Sequence, residues 1–597
     1  MESKTDLMPG RPPKPENKSA QRPSELRKRG PSSVTQSMLK TAIGHHRAGR
    51  VAEAESVYRQ ILAIDARHAD SLHLLGMIAY QGGRSEAAIA MIQKAIAIDK
   101  TRAAYHSNLG TVFHAQGRLD EAAQCYQRAV TLQPDLATAH YNLGNVFHAQ
   151  LNLEEAATCY ERALLLEPTL AEAHYNLGNV LQANGNLEDA VACYKRALAI
   201  EPGKYEALHN LGNAFQSQDK LKDAMACYEQ ALNIQPDYAK AHFSLGSVFH
   251  ALGDIEEALG HYRTALALEP DFAEAAFAES LVQLLRGEFA DGWRKYEWRW
   301  QTKEHTPPMR AYAQPLWKGE KLAAGRLLIW GEQGVGDEVM FAGLIPDAVR
   351  TGNPCVIDCD ARLRPLFARS FPDVEVVSSR STGRICGDDP MRRQELAITA
   401  HAPSGSLPGL FRASPSAFAN TTSPYLRADA LARASFRERY DDGRRLVGLT
   451  WNTNNPKTGR ARSIDLTVFA PLFARSDIRW ISLQYGEPSR LENRAAAARV
   501  LLVIDRSVDQ FRDLDDFAAQ ISAMDLVITI DNSTAHLAGA LGIPTWVLLP
   551  LAADWRWLQS REDSPWYPSV RLFRQRRIGD WQSVIEEVQG ALESERF

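Results

Sequence analysis

No stretch of the chain approaches the ~18 consecutive apolar residues of a membrane-spanning helix, so no membrane span is expected. A dominant charge of one sign is missing as well. The 68 Lys and Arg are set against 72 Asp and Glu, for a formal net charge of -4, and no global field draws the chain to nucleic acid or to an anionic membrane. Cysteine is scarce, with seven in 597 residues. Cys125, Cys159, Cys193 and Cys227 recur every 34 residues, which marks one repeated buried thiol rather than a disulfide ladder. Cys355, Cys359 and Cys386 lack partners at zinc spacing. No structural metal is expected, and a reducing, cytoplasmic compartment fits. The N-terminus has basic residues but no apolar core behind them, so no secretory signal is expected there. Residues 1–33, rich in Pro, Lys, Arg and Ser, read as a disordered basic tail.

The most prominent feature present is a 34-residue period. Gly76, Gly110, Gly144, Gly178, Gly212 and Gly246 share one column, and Tyr126, Tyr160, Tyr194, Tyr228 and Tyr262 another. Ala122, Ala156 and Ala190 keep a third small; Pro134, Pro168 and Pro202 close each unit, because proline cannot continue a helix. The unit AHYNLGNVFHAQLNLEEAATCYERALLLEP resembles the tetratricopeptide repeat. Such helix pairs cannot bury their apolar faces alone and must stack. Seven units run from about Gln36 to Phe272. A degenerate eighth ends in WRKYEWRW (293–300), expected to cap the array and join it to the next domain. The array is read as a surface for a protein or peptide partner. Asn142, Asn145, Asn176, Asn179, Asn210 and Asn213 form a recurring ladder suited to peptide amides, or a consensus polar face without a ligand.

From about Arg326 the period gives way to apolar runs alternating with helical stretches, the pattern of parallel sheets covered by helices. RLLIW (326–330), CVID (355–358) and VEVV (374–377) read as strands of one unit, with a single helix over 339–351 and an irregular stretch at 380–425. Strands Leu446–Trp451, Trp480–Gln484, Val500–Ile504, Leu526–Ile530 and Thr545–Leu549 make a second. The turn GEQGVGDE (331–338) lacks the Lys-Ser/Thr of a P-loop and has Val339 where a dinucleotide fingerprint needs its third glycine. In TIDNSTAHLAG (529–539) a strand runs into a helix whose first amides and dipole suit an anion, with Ser533, Thr534 and His536 adding donors; the alternative is plain capping by Asp531, Asn532 or Ser533 around a packed His536.

GEQGVGDEVMF (331–341), VGLTWNTNNPKTGRARSIDL (447–466), ISLQYG (481–486) and DLVITIDNSTAHLAGALGIPTWVLLP (525–550) resemble the heptosyltransferase group of GT-B glycosyltransferases. In architecture the chain also resembles O-linked N-acetylglucosamine transferases. The fold class implied is an α-solenoid of tetratricopeptide repeats followed by an α/β GT-B pair of Rossmann-like domains. The divisions are a capped repeat array at 34–305, an acceptor domain at 306–435 and a nucleotide-sugar-binding domain at 436–597. The resemblance implies a metal-independent transferase acting from a nucleotide-diphosphate sugar, without another cofactor. Donor-binding residues would be Asn532, Ser533, Thr534 and His536, with Lys457, Arg460, Arg462 and Gln484. Asp337 would be the general base, Glu338 a neighbouring alternative, and His401 a histidine that could face the cleft. A protein acceptor would be recruited by the repeats. The other readings are a catalytically silent repeat scaffold and a transferase directed at glycans.

Overall fold

A computed structural model describes residues 31–594 apart from 304–309, 311, 379–394, 422 and 456–457. The chain forms two compact units, Met1–Pro202 and Gly203–Phe597.

The first unit contains five antiparallel helix pairs, from Pro31–Arg47 with Val51–Ile64 to Ala171–Ala183 with Leu187–Ile200. The first helix starts at Pro31, so residues 31–33 belong to it rather than to a tail. Proline suits a first helical position, where no N–H is needed. Residues 1–30 lie outside the described residues. The repeat columns explain the pairing. A Cβ at Gly178 would meet the Tyr194 ring at 2.6 Å, so only glycine lets the second helix of the pair lay that ring against the first. Ala156, Tyr160, Ala190 and Tyr194 are fully buried.

The second unit opens with three further pairs, Tyr205–Ser217 with Leu221–Ile234, Ala239–Leu252 with Ile255–Leu268, and Ala273–Leu285 with Phe289–Tyr296. Two parallel sheets come next. The first comprises β1 (Arg326–Trp330), β2 (Cys355–Asp358), β3 (Glu375–Val377) and β4 (Ile398–Pro403) in the order β3-β2-β1-β4. The second comprises β5 (Arg445–Leu449), β6 (Ile478–Ser482), β7 (Leu526–Ile530), β8 (Thr545–Leu549) and β9 (Val570–Arg574) in the order β6-β5-β7-β8-β9. Leu449 pairs with Ile528, and Trp330 with Asp358. The chain is thus a helical repeat array followed by parallel sheets with helices. No helix among the described residues is long and apolar enough to cross a membrane.

Several expected elements differ. The 380–425 stretch contains β4, which pairs in parallel with β1. Val500–Ile504 is not a strand; it touches the sheet through one bridge, Val503 to Ile481, and leaves Leu501 89% exposed. The helix expected over 339–351 is two, Val335–Ala342 and Ile345–Arg350, interrupted ahead of Pro346.

Within WRKYEWRW, Trp293, Tyr296 and Arg299 are buried, while Arg294 and Glu297 are exposed. Trp293 meets Trp555 edge-on at 5.2 Å, and its indole N–H donates to the Arg412 carbonyl at 3.0 Å. Arg299 and Glu332 are both fully buried and face each other in a two-pronged ion pair at 2.9 and 3.0 Å. Such a pair holds geometry, since either charge left alone in the interior is strongly unfavourable.

Candidate functional site

In open parallel sheets, ligand sites form beyond the carboxyl ends of the strands where neighbouring strands leave in opposite directions. In the second sheet this point lies between β5 and β7, and in the first between β1 and β4. A cleft of about 570 Å³ opens there, lined by Thr453, Asn532 and Ser533 after β5 and β7 and by Val335, Gly336 and Asp337 after β1. Two helices, Val335–Ala342 and Ser533–Ala540, thus turn their heads to the same space. They approach so closely that a Cβ on Gly336 would come within 3.1 Å of the His536 ring.

Charge in the cleft is arranged as a chain. Arg462 pairs with Asp531 at 2.9 Å and Asp554 at 3.2 Å. Arg556 pairs with Asp554 at 2.6 Å and with Asp337 across the cleft. Burial opposes ionisation of Asp554, but Arg556 and Arg462 outweigh it and hold its carboxyl well below the usual range. Burial raises the Asp531 carboxyl, with Arg462 and the Trp557 indole N–H at 2.8 Å acting against the rise. The Arg556 Nε is buried with no hydrogen-bond partner among the described residues, an unusual state for a guanidinium N–H.

The polar groups at the end of β7 divide in role. The Asn532 side chain accepts from the Thr534 and Ala535 amides at 3.0 and 3.4 Å, so it caps its own helix. Asp531, by contrast, joins the charge chain. Ser533 lines the cleft, and its hydroxyl makes no hydrogen bond among the described residues. Thr534 is fully buried and does not line the cleft, which corrects its reading as a hydroxyl donor to a ligand there. His536 lines the cleft, shares a hydrogen bond with the Tyr567 hydroxyl at 2.9 Å and stacks on Trp557. Burial, then the adjacent Arg556, pushes its pKa down to about 3, so it is neutral.

The other expected residues separate. Arg462 belongs to the cleft, Arg460 is exposed and does not line it, and Lys457 lies outside the described residues. Gln484 is buried with its carboxamide saturated by backbone: it accepts from the Trp451 and Asn452 amides at 3.0 and 2.9 Å and donates to the Asn452 carbonyl. It shapes the loop after β5 and has no donor left for a ligand. Asp337 is at the cleft, held by Arg556 and by the Gly334 amide at 3.2 Å. Glu338 is buried outside it, accepting from the Asp360 amide. His401 is buried in β4 under Trp330, whose N–H it accepts at 3.2 Å, so it does not face the cleft.

The asparagine ladder is largely consumed within the repeats. Asn145, Asn179 and Asn213 accept from the hydroxyls of Tyr160, Tyr194 and Tyr228 at 2.8–2.9 Å. Asn176 donates to Asn145 at 3.0 Å, and Asn210 meets the His209 ring at 3.3 Å. Asn142 is half-buried, without a side-chain hydrogen bond among the described residues. These positions fasten each helix pair before they offer anything to a peptide. Sequence reasoning missed Asp554 and Arg556. Their signal was an aspartate and an arginine interleaved with two tryptophans, DWRW, just beyond the apolar run of β8.

Three histidines of the second unit are buried and neutral. Burial takes His209 and His401 to about 4 and His536 to about 3. The unfolded chain binds protons at these sites near pH 6.5, and the folded chain does not. Their contribution is complete above pH 6.5 and is lost as pH falls toward 4. Urea unfolding should therefore show stability dropping between pH 6.5 and 4. His401→Gln, which keeps an acceptor for Trp330, should flatten that slope by about one proton, or ~1.4 kcal/mol per pH unit. An unchanged slope would contradict the assignment.

Residues 68–281 match the family model described as the C-terminal domain of cilia and flagella-associated protein 70, a tetratricopeptide-type domain. Protein FlbA of Caulobacter vibrioides is 33% identical over 329 residues, covering 53% of this chain and 54% of that protein. The chain therefore spans about half the length of this curated relative. Among solved structures, YrrB, described as a TPR protein with an unusual peptide-binding site, is 26% identical, covers 32% of this chain and 98% of its own, and has a TM-score of 0.30. PilF of Pseudomonas aeruginosa is 20% identical, covers 36% and 97%, and has a TM-score of 0.34.

Proposed function

We propose that the chain, a tetratricopeptide-type repeat protein, is a glycosyltransferase that moves a sugar from a nucleotide-diphosphate donor to an acceptor, with a protein acceptor recruited by the repeats. The supporting observation is the convergence of two helix heads, Arg462 and Arg556 on one cleft beyond the carboxyl ends of both sheets. Helix heads and arginines favour a diphosphate. In the reaction the acceptor oxygen bonds to the anomeric carbon as the bond from that carbon to the diphosphate oxygen breaks. The leaving electron pair goes to the diphosphate, where Arg556, Arg462 and the head of the Ser533 helix stabilise it. The acceptor proton goes to Asp337. A diphosphate competes with Asp337 for Arg556, whose unpartnered Nε gives it a further donor, and so frees the carboxylate as the donor seats.

The test is transfer from a panel of labelled nucleotide sugars to protein and glycan acceptors. Asp337→Ala should lower transfer by ~10²-fold or more while donor affinity survives; undiminished turnover would remove the base assignment. One observation favours a second reading, a silent scaffold that binds nucleotide without turnover: Arg462 and Arg556 already have carboxylate partners. Donor binding without transfer or hydrolysis would select it.

A further inference from the structure

Phe511 is the one phenylalanine among the described residues that is exposed, at 66%, and it lines the cleft. Its position is held from the opposite sheet. The Arg362 guanidinium, which lies beyond β2, sits 5.0 Å from the ring centroid, and one of its N–H groups donates to the Phe511 carbonyl at 2.9 Å. Arg362 is itself fixed by two 2.8 Å bonds to the two Asp360 oxygens, and the Asp360 amide donates to buried Glu338. An exposed ring on a loop has no packing reason for such support. Beside it, Gln510 also lines the cleft and makes no side-chain hydrogen bond among the described residues, so its carboxamide offers a donor and an acceptor. A flat apolar face next to a free amide, in the same cleft as the helix heads and arginines, matches a base attached to a diphosphate. Stacking on such a ring is favourable for any base, because every base presents a π-face.

We infer that Phe511, braced by Arg362, is the stacking platform for the nucleobase of the donor, with Gln510 reading the base edge. The inference rests on the donor-binding reading of the cleft and adds the location of the base. The full chain is titrated calorimetrically with uridine, adenosine and guanosine diphosphates and with inorganic pyrophosphate. At least one nucleoside diphosphate is expected to bind more tightly than pyrophosphate. Phe511→Ala should weaken that nucleotide by about five-fold or more and leave pyrophosphate unchanged, while Phe511→Trp should restore it. Nucleotide affinity unaltered in Phe511→Ala, or an equal loss for pyrophosphate, overturns the platform and leaves the donor reading standing. A wild-type chain that binds pyrophosphate as tightly as every nucleotide also overturns it. One that binds none of the four ligands takes the donor reading with it.

Discussion

Arg556→Ala should reduce the proposed glycosyl transfer by ~10²–10³-fold, the scale seen when one preorganised donor to a developing negative charge is removed. Three roles meet in this side chain. It pairs with Asp554, reaches Asp337 across the cleft, and keeps one N–H without a partner among the described residues. Its loss would leave the diphosphate less stabilised, Asp337 without this counter-charge and Asp554 with Arg462. Arg556→Lys should recover only a small part, because a single ammonium cannot span Asp337 and Asp554 as a planar fork does. Steady-state rates with the best donor of the panel, together with donor affinity, separate lost binding from lost chemistry. Wild-type turnover in Arg556→Ala would sink the proposed role of the charge chain.

Arg299→Ala should destabilise the second unit by about 3–5 kcal/mol, the range for removing one partner of a buried pair. Glu332 would then lie fully buried, keeping the Gly405 amide at 2.7 Å but not the guanidinium that balances its charge. Burial already raises its carboxyl above the usual range in spite of Arg299, so the residual charge would be costly. Arg299→Met combined with Glu332→Gln should recover most of the loss, since neither charge of the buried pair is left alone and Glu297, which also pairs with Arg299, is exposed. The measurement is the urea or thermal transition of the whole chain, read where the second unit unfolds. A loss under ~1 kcal/mol in the single variant would show that the pair is not the support its burial implies.

The repeat array was legible because the same physical demand recurs every 34 residues, so the Gly and Tyr columns state it several times over. Strands β1, β2, β7 and β8 were legible because each is an apolar run buried on both faces. β9 was hidden: VRLFR alternates arginine with apolar residues, as befits an edge strand with a wetter face. Val500–Ile504 misled in the other direction, being apolar enough for a strand but leaving Leu501 in solvent. At the cleft, TIDNSTAH announced a helix head, yet the division of labour between capping Asn532 and charge-pairing Asp531 depends on Arg462 and Trp557, which lie elsewhere in the sequence. Arg556 stands 219 residues from Asp337. No local pattern reports a pairing at that separation.

The burial of Trp293 and Arg299 among the sheets also sets how this chain can change length. A helix pair that repeats at a fixed period is a cassette: a whole 34-residue unit can be gained or lost without breaking the period. The eighth pair is not such a cassette, because its aromatic and charged residues are written for Trp555, Arg412 and Glu332. Reach and specificity of the array are thus free to vary by insertion and deletion, while the last pair stays tied to the part of the chain that carries the cleft.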